Sequence, residues 1–514
     1  MPIFIKNIQF AMKSSRICFI ISFSIIVLGS FTSCKSNQED KPPNILFLIA
    51  DDWSFPHASI YGDPVVKTPN FDRLAREGAL FTNAYVASPS CSPSRASILT
   101  GRYPHQLESA GNLWSVIPKK FPNYVSLLEG NGYFTGKSRK GWSPGNFEKG
   151  GYAHNPAGKD YKTFKGFIDS LPAETPFCFW FGSYDPHRAY DPNTGMQSGL
   201  DIDQVIVPEF MPDVPCVRND ILDYYYEVER FDRECGEIIA LLEEKGMLDN
   251  TLIVMTSDNG MPFPRAKANL YDYGTRMPLA VRWPKKVKAG QEIEEFVSFV
   301  DFAPSFLEAA GITAPESMSG KSIWPLLKAK KNAEAYANVF IERERHANVR
   351  AGDLSYPMRA IRDKEYLFIR NVLPERWPAG DPQVHQAVGQ YGDVDNSISK
   401  FLTEVRDGET EAIPYFKLSF DKRPEEELYD IVKDPYQLNN LAIEPEYANV
   451  LAKYRAQLLN WMEESNDPRF ENPETIYWDT VEYVPNYSNQ QYDLEQKIAN
   501  YIMLTVNGDS LNCQ

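Results

Sequence analysis

Residues 44–52 read NILFLIADD, an uncharged and mostly apolar run that ends on two carboxylates. An uninterrupted apolar run fits a strand covered on both faces, as in a parallel α/β sheet, better than the alternation of a half-exposed strand. The same design returns at residues 251–260 (TLIVMTSDNG) and 176–187 (PFCFWFGSYDPH). Between these runs, residues 221–245 carry Ile221, Leu222, Tyr225, Val228, Phe231, Ile238, Ile239 and Leu242 at helical spacing, which marks a core-facing stripe. Shorter helices are predicted after Thr68-Pro69, around residues 125–129 and over residues 302–310, where Gly311 is a natural terminator. Strands alternating with helices predict a doubly wound α/β sheet, whose ligand site lies at the carboxyl ends of the strands. The polar clusters that close all three apolar runs sit at those ends.

The 514 residues include 53 Lys+Arg and 69 Asp+Glu, a formal net charge of −16. Such a balance argues against nucleic acid or an anionic membrane surface as the main partner, because either is repelled unless a local basic patch overcomes the field, so any anionic substrate must be gripped locally. With 43% hydrophobic and 24% charged residues, the chain has a folded protein's composition and is long enough for a large core and two subdomains. The 7 cysteines are scattered and form neither a disulfide framework nor a zinc pattern.

Lys6, Lys13 and Arg16 precede an apolar run over residues 17–31, followed by Thr32-Ser33-Cys34. The run is short for a membrane span and right for the apolar region of a secretory signal. The small residues before Cys34 resemble a bacterial lipobox, which makes residues 1–33 a signal peptide and Cys34 the lipid-bearing residue. Met12 is an alternative start. Residues 34–43 then read as a polar tether. The expectation is an exported protein, a periplasmic or outer-membrane lipoprotein that meets the membrane only through its lipid.

Asp51, Asp52, Asp258 and Asn259 bring oxygen donors with three formal charges to one sheet edge. Crowded carboxylates repel unless a cation lies between them, and an all-oxygen set suits a hard divalent ion, Ca²⁺ or Mg²⁺. A second motif, SCSPSRASILTGR at residues 90–102, has helix-start grammar: Ser92 as N-cap, Pro93 at the first helical position, Gly101 as terminator. It puts Cys91 before a helix N-terminus, with Arg95 one turn in. A thiol there is expected to have a lowered pKa.

The order Cys91, Pro93, Arg95 and Thr100-Gly101-Arg102 resembles the signature of the sulfatase family. The Asp51-Asp52 pair and the Asp258-Asn259-Gly260 turn are similar to that family's metal sites, and residues 427–441 (ELYDIVKDPYQLNNL) to its C-terminal subdomain motif. Within the family, the chain most resembles the branch acting on N-sulfated glucosamine of heparin and heparan sulfate. The carrying segments are SCSPSRASILTG, DPHR at residues 185–188, residues 251–271 and SYPMR at residues 355–359.

The resemblance implies an alkaline-phosphatase-like mixed sheet with a smaller C-terminal antiparallel α+β subdomain. It further implies calcium as the metal, and oxidation of Cys91 to formylglycine by a sulfatase-maturing enzyme. Sulfated glycosaminoglycan saccharides are the implied substrates. Cys91 would join the metal ligands; one hydroxyl of its hydrated aldehyde would attack sulfur, and the second would later expel sulfate, a step serine cannot perform. His187 is implied as general acid and Lys267 as a sulfate contact, with Arg265 its competitor; Asp185 and Arg188 are implied substrate-side residues. One position departs from the family pattern: register from Thr135 puts Lys140 at the catalytic lysine and Trp142 where histidine is usual. Lys137 is the alternative lysine, and His57 or His346 could replace the missing base.

Beyond residue 335, shorter alternating runs at residues 338–342 and 358–370 predict a small antiparallel sheet, with a helix near residues 447–464. The expected division is a catalytic domain over residues 44–335, a subdomain over 336–480 and an extension over 481–514. Arg343, Arg345, His346 and Arg350 form a basic loop suited to collecting sulfate, and the acidic run at residues 425–427 reads as an exposed face. The rivals to N-sulfate hydrolysis are O-sulfate hydrolysis (such as 6-O), phosphoester or phosphonate hydrolysis, and a non-catalytic glycan-binding lipoprotein.

Overall fold

The computed structural model describes residues 41–329, 333–384, 389–405 and 414–484; the expected signal peptide with Cys34 and the chain from residue 485 lie outside them. The first apolar run forms β1 (Asn44–Ala50), buried at every position. It is followed by β2 (Ala79–Phe81), β3 (Ala84–Tyr85), β4 (Phe134–Arg139), β5 (Phe177–Gly182), β6 (Thr251–Ser257), β7 (Leu279–Arg282), β8 (Gln291–Ile293) and β9 (Val297–Ser298). Seven of these make a mixed sheet in the order β4-β5-β1-β6-β7-β2-β8, while β3 pairs with β9. β1 runs parallel to β5 and β6, its neighbours on either side. Their continuous apolarity follows from this central position, because both faces are covered.

One face carries the long helix Pro215–Glu244, on which all eight stripe residues are buried. The opposite face packs on the helix Phe302–Ala309 and the helix Tyr124–Gly130, with Phe47 edge-on to Phe302 and Phe306. The predicted short helices are thus present, including Pro69–Glu77.

The C-terminal region is an antiparallel sheet of β10 (Asn338–Arg343), β11 (Met358–Asp363), β12 (Tyr366–Asn371) and β13 (Glu426–Asp430). One of its faces packs Ile361, Phe368 and Leu428 against Leu451, Tyr454, Leu458 and Trp461 of the helix Ala448–Glu464. The other meets Tyr85, Leu270 and Phe296 of the larger part. Glu427 corrects the reading of residues 425–427 as an exposed face: it is buried, accepting hydrogen bonds from Tyr271, Tyr429 and Asn371.

Candidate active site

Four strand ends share one edge. Parallel register sets Ala50 beside Ser257, Ile49 beside Gly182 and Arg139 beside Gly182, so the residues just beyond β1, β4, β5 and β6 emerge together. Backbone bonds tie them: Asp51 N–H donates to the Asp185 carbonyl at 2.9 Å, and Asp258 N–H to the Ala50 carbonyl at 3.2 Å. Gly182 permits the closest approach, since a Cβ there would lie 1.7 Å from the Lys140 carbonyl oxygen. Asp52 turns out of β1 with φ 79°, and its N–H donates to Asp258 Oδ1 at 3.2 Å.

The helix Cys91–Thr100 delivers the fifth element. It starts two residues earlier than Ser92 capping predicts: Cys91 is its first residue, Ser90 holds the N-cap position in extended conformation, and no side chain caps it. The Ser90 hydroxyl is instead 2.8 Å from His346 Nδ1. Gly101 ends the helix with φ 63°, as predicted. Cys91 Sγ lies 3.6 Å from Asp51 Oδ1, and ligand atoms of Asp51, Asp52 and Cys91 lie within 4.8 Å of one another. The expectation of a lowered thiol pKa is corrected, because burial pushes the Cys91 thiol far up and outweighs Lys140 and Lys267.

Charges alternate around these acids. Lys140 Nζ bonds both oxygens of Asp51. Lys267 Nζ donates to Asp52 Oδ2 at 2.7 Å, and Arg95 Nε to Asp258 Oδ2 at 2.7 Å. Burial acts to raise the Asp51 carboxyl, but Lys140, His187 and Arg95 together hold it far below the usual carboxylate range. Asp258 goes the other way: burial, helped by Asp51, lifts it to about 6 against the pull of Arg95.

Among the buried side-chain atoms without a hydrogen-bond partner are one from Asn259 and one from Arg95, and they differ in kind. Asn259 Oδ1 is an acceptor, held in place by its own Nδ2 donating to Asp52 Oδ1 at 2.6 Å. Arg95 Nη2 is a donor, 3.9 Å from Asp51 Oδ1. An unsatisfied oxygen among three carboxylates fits a hard cation, and an unsatisfied guanidinium nitrogen fits an anion. The acidic group therefore suits a hard divalent cation.

His187 stands at the rim, with Nδ1 2.5 Å from the Arg188 carbonyl oxygen. Such a contact fixes Nδ1 as the donor and leaves Nε2, 3.9 Å from Asp52 Oδ2, as the exchanging nitrogen.

Several expected contacts are not made. The Asp185 carboxylate is instead taken up by Arg230, whose Nε donates to it at 2.6 Å. Arg188 is committed to Asp220 through two bonds of 2.7 and 2.8 Å. Arg265 is buried on the Tyr271 ring and donates to the Leu418 carbonyl, so of the two candidates after the Asp-Asn-Gly turn only Lys267 enters the site. Lys137 donates to Asp160 and the Arg139 carbonyl, which leaves the site to Lys140. Trp142 is buried and donates to the Ser92 carbonyl from behind the nucleophile helix. His57 bonds Asp63 and the Tyr225 hydroxyl, whereas His346 touches the helix start. The arginines of the basic loop are engaged inside the fold: Arg343 and Arg350 pair with the buried Asp393, and Arg345 donates to the Val481 carbonyl. In each case burial forced the charge to find a partner inside the fold.

Sequence reading missed Arg230 and Asp395. Asp395 Oδ2 lies 3.4 Å from Lys267 Nζ. It comes from a loop of the C-terminal region with no local pattern to mark it.

Comparison with known proteins accords with this geometry. The sulfatase family profile matches residues 43–312, and a profile described as N-sulphoglucosamine sulphohydrolase, C-terminal, matches residues 265–383. The human N-sulphoglucosamine sulphohydrolase is 30% identical over 490 residues, covering 86% of this chain and 93% of its own. An ulvan-active sulfatase of Formosa agariphila is 26% identical over 521 residues, covering 88% and 82%. The fold matches a solved complex of an enzyme with its substrate D-glucosamine-2-N,6-O-disulfate at a TM-score of 0.59 and 21% identity, covering 84% of this chain and 100% of the other. With its alkaline-phosphatase-like sheet and this site, the chain belongs to the sulfatase family and is a hydrolase of that kind.

Proposed function

We propose that the protein hydrolyses the N-sulfate of glucosamine residues in heparin or heparan sulfate saccharides, using a formylglycine made from Cys91 by a sulfatase-maturing enzyme. The observation that carries the reading is the junction of Cys91, Asp51, Asp52, Asp258 and Asn259, with one buried oxygen and one buried guanidinium nitrogen unsatisfied. The human relative and the C-terminal profile support sulfamate as the bond.

Asp51, Asp52, Asp258 and Asn259 would hold calcium, which when bound supplies positive charge beside the sulfuryl oxygens. Arg95 Nη2, Lys140 and Lys267 line the same space and stabilise charge on the transferring group. His187 Nε2 gives its proton to the departing atom. The leader supports export as a lipid-anchored protein through Cys34.

Removal of an O-sulfate is the second reading, favoured by the substrate of the solved relative, which carries both 2-N and 6-O sulfate. Glucosamine standards bearing one sulfate each decide between them. Release of sulfate from the 2-N standard alone is the expected result, and release from the 6-O standard alone removes the proposal.

A further inference from the structure

Asp395 lies beyond both family profiles, which end at residues 312 and 383. Ligand atoms of Asp52, His187 and Asp395 lie within 4.8 Å of one another. Exposure orders the site by depth. The Lys267 side chain is 4% exposed, Asp395 28% and His187 35%. A sulfuryl group held by Lys267 therefore has its outward substituent between His187 and Asp395.

The loop is fixed on both sides of this residue. Asp393, two positions before, takes Arg350 and the Ala347 N–H. Lys400 Nζ donates to the Gln390 and Val394 carbonyls and to Asn396 Oδ1. Ser399 Oγ bonds Asp220, the partner of Arg188 beside His187. Neighbours on either side are thus tied down while Asp395 faces the mouth.

We propose that Asp395 is a specificity-determining residue that favours a leaving group which becomes a cation, an amine, over one that stays neutral, a hydroxyl. This rests on the sulfamate reading above. As the N–S bond breaks, its electron pair goes to nitrogen, the sulfuryl group passes to the nucleophile oxygen at position 91, and that oxygen's proton is released to solvent. His187 Nε2 gives one proton to the nitrogen, and the free amine takes a second from solvent to become ammonium. An alcohol leaves with one proton and no charge. The Asp395 carboxylate attracts only the first product, so its effect grows along the reaction.

The test compares wild type, Asp395→Asn and Asp395→Glu for turnover of glucosamine 2-N-sulfate and for competitive inhibition by glucosamine and by N-acetylglucosamine. Asp395→Asn is expected to weaken glucosamine by ~10-fold or more, as loss of a nearby opposite charge implies, while N-acetylglucosamine is unchanged and Asp395→Glu restores the difference. Equal weakening of both inhibitors, or of neither, overturns the assignment of Asp395 and leaves the sulfamate reading intact. A wild type that releases only O-sulfate overturns both. If Asp395→Asn does not fold, wild type alone decides: glucosamine binding no tighter than N-acetylglucosamine overturns the proposal.

Discussion

Lys140 Nζ lies 2.7 and 2.6 Å from the two carboxylate oxygens of Asp51, so a buried acid at the centre of the sheet edge is neutralised by the chain itself. Removing the ammonium leaves Asp51 with Arg95 Nη2 at 3.9 Å as its remaining close cation. Lys140→Met is expected to lower stability by ~3 kcal/mol, the scale for breaking a buried pair, and turnover by ~10²-fold or more. Denaturant unfolding in chelator and steady-state kinetics check it, and an unchanged kcat sinks the assignment of Lys140 to the sulfuryl group.

Calcium should stabilise the protein through the unsatisfied Asn259 oxygen. At an ion concentration ~100 times the dissociation constant, linkage gives ~2.7 kcal/mol. Asn259→Ala is expected to lose most of that gain while folding normally in chelator. Thermal unfolding with and without calcium measures both, and equal calcium shifts in the two proteins contradict the ligand set.

Trp142 cannot be exchanged for the usual histidine with profit. Its indole is buried among core residues and donates to the Ser92 carbonyl. Trp142→His is expected to cost ~3 kcal/mol through lost packing, with no gain in kcat. A kcat above wild type would show that an imidazole there reaches the reacting atoms.

Arg350 holds the loop that carries Asp395, buried against Asp393 and the Trp377 and Pro378 carbonyls. Arg350→Ala leaves Asp393 with Arg343 and the Ala347 N–H, for an expected loss of ~3 kcal/mol. The salt dependence of heparin-oligosaccharide binding should stay as in wild type, since no phosphate-like contact is lost; a shallower slope would restore the sulfate-collecting role.

Glu227 is raised from 4.5 to about 7 by burial and by Asp185, against Arg230. A carboxyl with a raised folded value binds its proton more tightly in the native state, so stability falls as pH rises from about 4.5 to about 7. Glu227→Gln is expected to match wild type near pH 4 and to exceed it above pH 7 by up to ~3 kcal/mol, less the lost pairing with Arg230. Unfolding free energies at pH 5 and pH 8 measure the difference. A constant offset across that range contradicts the prediction.

The sheet was legible because β1, β5 and β6 are covered on both faces and so cannot alternate. Their polar ends were legible for the same reason, since a charge after such a run must lie at the rim. What stayed hidden was pairing between distant segments. Arg188, Arg265, Arg343 and Arg350 look the same in sequence as Arg95, yet each is consumed by a carboxylate or a carbonyl far along the chain. Asp395 was hidden too, because its importance comes from Lys400 and Asp393 pinning a loop from another part of the fold. The thiol was misjudged since a helix start predicts a field, while depth decided the outcome.

That depth also sets an order of events. Every residue from Cys91 to Thr100 is shielded from solvent, so a second protein's active site has no route to the sulfur once the domain has closed. On the proposed mechanism, conversion of the thiol to an aldehyde would therefore belong to the interval before folding, while the segment is still an extended peptide. Chains that fold first would be trapped with an inert thiol, and a preparation's specific activity would record the outcome of that race.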